Sequence, residues 1–425
     1  MGVVKVTFLM VCFCMFVTVT TSFSAARSKE TKISVGKTAE QLNGRLEKTV
    51  TKWGYTLKTY LVETDDHYYL TLHRLMLKEE KPKLSAIFIM DGITGCSPLS
   101  IANRKSLAYH LVDKGYDVWL GNARGTFLCM RHRNMKPSEK KFWDFSFHEI
   151  GTHDLPAFLT RVKRETGAAR VHYVGYSMGT TDFLVLASTQ ATVVENDVAS
   201  VTLIAPVACP MHYRLISNRF KRFFAKIYLK MNGVLFRGDV FTLHKHVALA
   251  SYHACKTMLL SWLCERLLRF RSNGRDLYDH LNSLEALPYF PCGASVKAFL
   301  HFIQLAEAER FQHYDYGPET NVVKYGQPEP LAYDLGAIEK ELYLLVGGQD
   351  SEADKRDIQW MHERLKNSYY VDEPFIQFDH RDFAFGTEIN KASEVVIEIV
   401  EAYDAGRETE IKKTTRSKSL HRQNS

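Results

Sequence analysis

Outside residues 6–19, this 425-residue chain has no apolar run approaching the roughly 20 residues that a bilayer span needs. That excludes a bundle of membrane-spanning helices. It lacks any H-E-x-x-H pattern, and its one tight histidine pair, His244-Lys245-His246, falls in a basic stretch, so no metal site is expected. It also lacks an Asn-x-Ser/Thr sequon, the acceptor of N-linked glycans. Neither sign of charge dominates: 55 Lys and Arg face 48 Asp and Glu. The basic tail at 406–425 (Lys412, Lys413, Arg416, Lys418, Arg422) has no interleaved aromatics, so it reads as a disordered tail and not as a nucleic-acid binder.

What is there begins with an export signal. Lys5 is the only charge before the apolar run Val6 to Val19, and Ser22-Phe23-Ser24-Ala25-Ala26 supplies small residues at cleavage spacing. Residues 1–26 therefore read as a signal peptide, the alternative being an uncleaved anchor whose run is short for a span. Export implies oxidising conditions. Beyond Cys12 and Cys14, six cysteines remain (96, 129, 209, 255, 264, 292), and six allow fifteen pairings. Cys255 and Cys264 are nearest in sequence, but on one straight helix they would stand roughly 13 Å apart, so a bridge between them needs the chain to fold back.

The apolar content, 45% of residues, suits one large domain or a domain with an insertion. Tyr55 to Arg74 alternates like a hairpin turning at Thr64-Asp65-Asp66-His67. Ala86 to Met90 is a short continuous apolar run, as in a buried parallel strand. A helix over Ser106 to Lys114, a strand over Tyr116 to Leu120, and a helix carrying Leu155, Phe158, Leu159 and Val162 follow. Strands at Val171 to Val174, Val201 to Ala205, Glu341 to Val346 and Phe375 to Phe378 complete the alternation, with helices at 180–188, 357–366 and 392–403. The pattern argues for an open, mostly parallel sheet with helices on both faces.

The roughly 130 residues between the strands at 201–205 and 341–346 are too many for a loop, so 206–340 is expected to be an inserted subdomain between core segments 27–205 and 341–405. From 210 to 290 it carries thirteen Lys or Arg against five acids, more than the chain's whole net charge of +7. Phe220, Phe223, Phe224, Ile227 and Met231 form a stripe beside Lys221, Arg222, Lys226 and Lys230. Such a helix suits a lipid interface, or equally an ordinary core-facing helix with a solvated charged side.

Gly175-Tyr176-Ser177-Met178-Gly179 is a G-x-S-x-G pentapeptide between a strand and a helix, the setting of a nucleophile elbow. Chance produces such pentapeptides, so the context carries the weight. Working residues of an open parallel sheet gather at the carboxyl ends of strands. Ser177, Asp350 and His380 all fall there, in the order Ser, Asp, His. His380 would act as general base toward Ser177 and Asp350 would orient it, Asp354 and Asp357 standing close behind as alternative acids. Oxyanion donors would be the N–H groups of Met178 and Ile93, the latter in the loop Asp91-Gly92-Ile93-Thr94-Gly95. This chemistry needs no cofactor.

Taken together the chain resembles the acid lipase family, which includes gastric and lysosomal acid lipases. The resemblance is carried by Trp53-Gly54-Tyr55, the run Gly115 to Gly125, Phe142 to Phe147, Asp154-Leu155-Pro156-Ala157, His172 to Gly175, Gly347-Gly348-Gln349-Asp350 and Asp379 to Phe383. It implies the α/β-hydrolase fold with a helical cap, a lipid ester substrate such as triacylglycerol or sterol ester, contact of the cap with a lipid interface, and a secreted or lysosomal protein. It also implies a cap disulfide between Cys255 and Cys264. Oligomeric state is left open. The family usually has G-H-S-Q-G and H-G-L, so Tyr176, Met178 and Asp91 depart from it. The first two changes are expected to alter pocket polarity, whereas a carboxylate at Asp91 would oppose a nearby oxyanion unless paired, turned away or protonated. An esterase for shorter esters, or an inactive lipid carrier, are the alternatives.

Overall fold

A computed structural model of the chain describes residues 31–240 and 286–406. The chain divides into two units, 1–44 and 45–425. Of the first, the described part is the start of helix α1 (Thr31–Lys52), which the sequence patterning did not suggest. Everything below belongs to the second.

The hairpin forms where the alternation placed it. β1 (Tyr55–Glu63) and β2 (Tyr68–Leu77) pair antiparallel from Tyr55 opposite Leu77 to Glu63 opposite Tyr69. The turn closes because the Thr64 hydroxyl accepts from the Tyr68 amide at 2.9 Å. β3 (Ala86–Met90), β4 (Asp117–Gly121), the short β5 (Arg131–His132), β6 (Val171–Tyr176) and β7 (Val198–Ile204) follow. β8 (Asp239–Val240) and β9 (Ala294–Ser295) form a separate antiparallel pair, and β10 (Leu342–Leu345) and β11 (Ser368–Val371) return to the main sheet. Its order is β1-β2-β4-β3-β6-β7-β10-β11, with β5 on β2. Pairing is parallel from β4 through β11. β3, β4 and β10 are buried along their whole length, which is why they do not alternate; β3 and β10 read as apolar runs, and β4 does so after Asp117, whose carboxylate is paired with Arg74.

Helices connect the parallel strands. α2 (Leu107–Lys114) runs between β3 and β4, α3 (Leu155–Thr166) precedes β6, and α4 (Met178–Thr189) leads from β6 toward β7. Later come α5 (Arg219–Leu235), α6 (Val296–Ala308), α7 (Lys355–His362) and α8 (Ile389–Asp404). α2 packs on α8 and both touch the sheet, while α3 and α4 make a second such pair. No described helix is long and apolar enough to cross a membrane.

One expected strand is wrong. Phe375 to Phe378 is a looped segment, and the edge strand is Ser368–Val371. The two phenylalanines are buried together while Ile376 between them is 41% exposed, a spacing that a strand's alternation forbids. Their rings lie about 5 Å from each other and from Phe383, forming an aromatic plug that a turn can assemble. His380 therefore stands at the end of a loop and not directly after a strand.

Within 206–340, α5 and α6 pack together around Ile216, Leu229, Val240, Val296, Ile303 and Ala306, a small core apart from the sheet's. Residues 241–285 lie outside the described residues, and with them Cys255, Cys264 and the His244–His246 pair. Among the described residues the bridge is Cys96–Cys292, with Cα atoms 6.0 Å apart across a sequence separation of 196, and Cys129 and Cys209 are buried and unbridged.

Candidate active site

β6 ends at Tyr176 and α4 begins at Met178, leaving Ser177 alone at the joint. Its backbone has φ 54° and ψ −117°, a strained conformation for a residue with a side chain. Bonds on both sides hold it there: the Ser177 amide donates to the Ile204 carbonyl at 3.0 Å, and its own carbonyl accepts from the Thr180 amide at 2.9 Å. The turn also needs close approach, since a Cβ at Gly179 would lie 2.3 Å from the Met90 carbonyl oxygen. The pentapeptide's second glycine is thus what lets α4 press against the end of β3.

Two loops bring the partners. His380 Nε2 lies 2.8 Å from Ser177 Oγ, and His380 Nδ1 lies 2.8 Å from Asp350 Oδ2. The other Asp350 oxygen accepts from the amides of Glu352 and Ala353, both at 2.8 Å, so the carboxylate cannot swing away. Burial by itself would lower the His380 pKa, but the charge and hydrogen bond of Asp350 outweigh it and raise the imidazole to about 9. The alternative acids are engaged elsewhere. Asp354 caps α7 and pairs with Arg356, and Asp357 holds His212 at 2.6 Å.

The loop after β3 lies against the serine from the other side. A Cβ on Gly92 would come within 2.8 Å of Ser177 Cβ, so only a glycine lets the main chain come this close. Among the described residues, neither the Met178 nor the Ile93 amide donates to a protein acceptor. The loop is pinned at its far end, where the Cys292 amide donates to the Thr94 carbonyl at 2.9 Å beside the Cys96–Cys292 bridge. Asp91 is half-buried, its carboxylate accepting a long 3.4 Å bond from Ser100 Oγ, and burial raises it to about 6. Among the described residues it has no ion-pair partner, and it is not turned fully to solvent. Sequence reasoning missed two features of this site: the Cys96–Cys292 bridge, for which 196 residues of separation leave no local signal, and a contact of Tyr176 taken up below.

Comparison with known proteins places the fold and the family. A family model for the α/β hydrolase fold matches residues 86–263, and one for a partial α/β-hydrolase lipase region matches residues 46–104. Gastric triacylglycerol lipase of Rattus norvegicus is 30% identical over 375 residues, covering 86% of this chain and 93% of the relative. The Homo sapiens gastric triacylglycerol lipase is 30% identical, covering 80% of this chain and 86% of the relative. A Sulfolobus solfataricus crystal structure provisionally named a lipase superposes with a TM-score of 0.52 at 15% identity, covering 82% of this chain and 94% of that one, a likeness of fold. With relatives at this identity over most of both chains, the protein belongs to the acid lipase family of α/β-hydrolases.

Proposed function

We propose that the protein hydrolyses carboxylic esters of neutral lipids, triacylglycerols or sterol esters, with Ser177 as nucleophile, His380 as general base and acid, and Asp350 as the group that orients His380. The observation that carries this reading is the single imidazole placed 2.8 Å from both Ser177 Oγ and the Asp350 carboxylate, at a strained strand-to-helix joint. The serine proton passes to His380 Nε2 as Oγ bonds to the ester carbon. The resulting oxyanion is met by the Met178 amide at the amino end of α4, where the helix dipole favours negative charge, and by the Ile93 amide of the loop after β3. Collapse breaks the ester C–O bond, the alcohol leaves with the proton from His380, and the acyl group stays on Ser177. A water then gives a proton to His380 and attacks the acyl carbon. The fatty acid departs, and Ser177 takes the proton back.

In this reading residues 206–340 form a cap over the site. The apolar stripe of α5 supports an interfacial role, since Phe220 is 72% and Val234 82% exposed, with Phe223, Phe224 and Met231 exposed between them. A soluble helix that keeps such a face in water has a use for it. The same reading puts the chain in the secretory pathway, secreted or lysosomal, once residues 1–26 are removed. Asp91 favours a second reading, a slower or shorter-chain esterase, because an ionised carboxylate in the oxyanion loop opposes the charge that the amides stabilise. One experiment separates these. A fluorophosphonate probe should label Ser177 in the folded protein and leave Ser177→Ala unmodified, and emulsified long-chain esters should turn over faster than dissolved short-chain ones. Absence of labelling removes the triad reading, and a preference for dissolved esters moves the protein to the second reading.

A further inference from the structure

His380 and Ser177 are 203 residues apart in sequence and ride on separate loops, yet their side chains meet at hydrogen-bond distance. Something must fix one loop against the other, because a misplacement of about 1 Å costs roughly a hundredfold in rate. On the Asp350 side the fastening is main-chain. The Gly348 and Gln349 amides donate to the carbonyls of Phe375 and Phe378, each at 3.0 Å, so the loop carrying His380 is strapped to the loop carrying Asp350. The Phe375, Phe378 and Phe383 plug stiffens that strap from beneath.

On the Ser177 side a side chain makes the tie. The Tyr176 hydroxyl donates to the main-chain carbonyl of His380 at 2.7 Å, and its ring lies 5.2 Å from the imidazole with a tilt of 32°. Tyr176 is the residue before the nucleophile, so whatever holds it to His380 also holds Ser177, whose own backbone is locked between the Ile204 and Thr180 bonds. We propose that Tyr176 is a positioning residue of the triad, its hydroxyl holding the His380 backbone over Ser177 and its ring bracing the imidazole. This rests on the triad reading above. It replaces the expectation that the tyrosine mainly changes pocket polarity: the hydroxyl is spent on the backbone of the histidine. The ring adds a second contribution. His380 becomes an imidazolium each time it accepts the serine or water proton, and an aromatic face within about 6 Å stabilises a cation.

The test is Tyr176→Phe, which removes the hydroxyl and keeps the ring. The rate of fluorophosphonate labelling, kcat and KM on a dissolved short-chain ester, and the thermal midpoint are measured side by side, and active-site titration divides out any loss of folded protein. The expected result is a five- to tenfold fall in both kcat and labelling rate, about what loss of one such hydrogen bond produces, with KM within about twofold of the wild type. Tyr176→Leu, which removes the ring as well, should fall further. Wild-type labelling and kcat in Tyr176→Phe would overturn the proposal, and so would a raised KM with kcat unchanged, which would make Tyr176 part of the substrate pocket. A wild-type protein that the probe never labels is a different failure, since it removes the triad and the positioning role with it.

Discussion

β6 carries a histidine near its amino end and leads into a serine just past its carboxyl end, and each belongs to a Ser, His and Asp set. At the carboxyl end Ser177, His380 and Asp350 meet at 2.8 and 2.8 Å. At the amino end His172 Nδ1 lies 2.8 Å from Ser200 Oγ, and its Nε2 lies 3.0 Å from Asp404, which also accepts from Ser85 at 2.8 Å. Distances alone hardly tell the two apart. Their settings do. Ser200 is 1% exposed inside β7, where one extra residue between Val198 and Val201 offsets the pairing with β6. Ser177 stands on a strained turn with a glycine loop beside it and two amides, of Met178 and Ile93, that donate to no acceptor among the described residues. The amino-end set is a clasp that ties the last residue of α8 to the sheet. A hydrogen-bonded serine becomes a nucleophile only where the fold leaves room for a substrate and donors for its charge.

Removing His380 or its acid partner should separate the two ends most. His380→Ala or Asp350→Asn is expected to slow labelling of Ser177 by about a thousand- to ten-thousandfold. His172→Ala should leave labelling of the folded protein within about twofold. If His172→Ala silenced folded enzyme, the amino-end set would need a catalytic role after all.

A smaller effect comes from pH. Asp350 raises His380 to about 9 in the fold against a usual value near 6.5. Only the neutral imidazole takes a proton, so labelling should speed up as pH rises from 6.5 toward 9. Stability moves the other way, because the gain from holding a proton on His380 is complete below 6.5 and is lost as pH rises through about 9. Thermal midpoints should therefore fall across that window, and fall less in Asp350→Asn, whose labelling limb should shift to lower pH. Parallel trends in rate and stability would contradict the assignment.

The smallest effect belongs to the clasp. Ser200→Ala removes the partner of a buried histidine nitrogen and should cost about 1 to 2 kcal/mol in urea unfolding, with labelling unchanged. Asp404→Asn should cost less, since its side chain is 37% exposed and water screens the pair.

Much of the carboxyl-end site is legible in the residue order. The apolar run at Ala86–Met90 and the strand before Ser177 are readable because strands buried on both faces are mostly apolar, His172 being the buried exception in the second. The His380 loop misleads because Phe375 and Phe378 look like strand residues, and only their shared packing with Phe383 shows that they fill a turn. Among three closely spaced acids, sequence favours Asp350 by position alone, while the structure gives Asp354 to Arg356 and Asp357 to His212. The clasp of Ser200, His172 and Asp404 leaves no motif, since its members come from two strands and a distant helix.

By itself, the chain's local chemistry determined most of the alternation of strands and helices, the glycine-flanked elbow and which serine is the candidate nucleophile, because periodicity and backbone freedom are properties of neighbouring residues. Only the tertiary structure decided which acid meets His380, that Cys96 bridges Cys292, that the Tyr176 hydroxyl reaches the histidine backbone, and which of two similar serine sets stands at a strained strand-to-helix turn. Those choices depend on which distant groups the sheet brings within about 3 Å of each other, and hydrogen-bond energy falls away over fractions of an ångström that no spacing along the chain can encode.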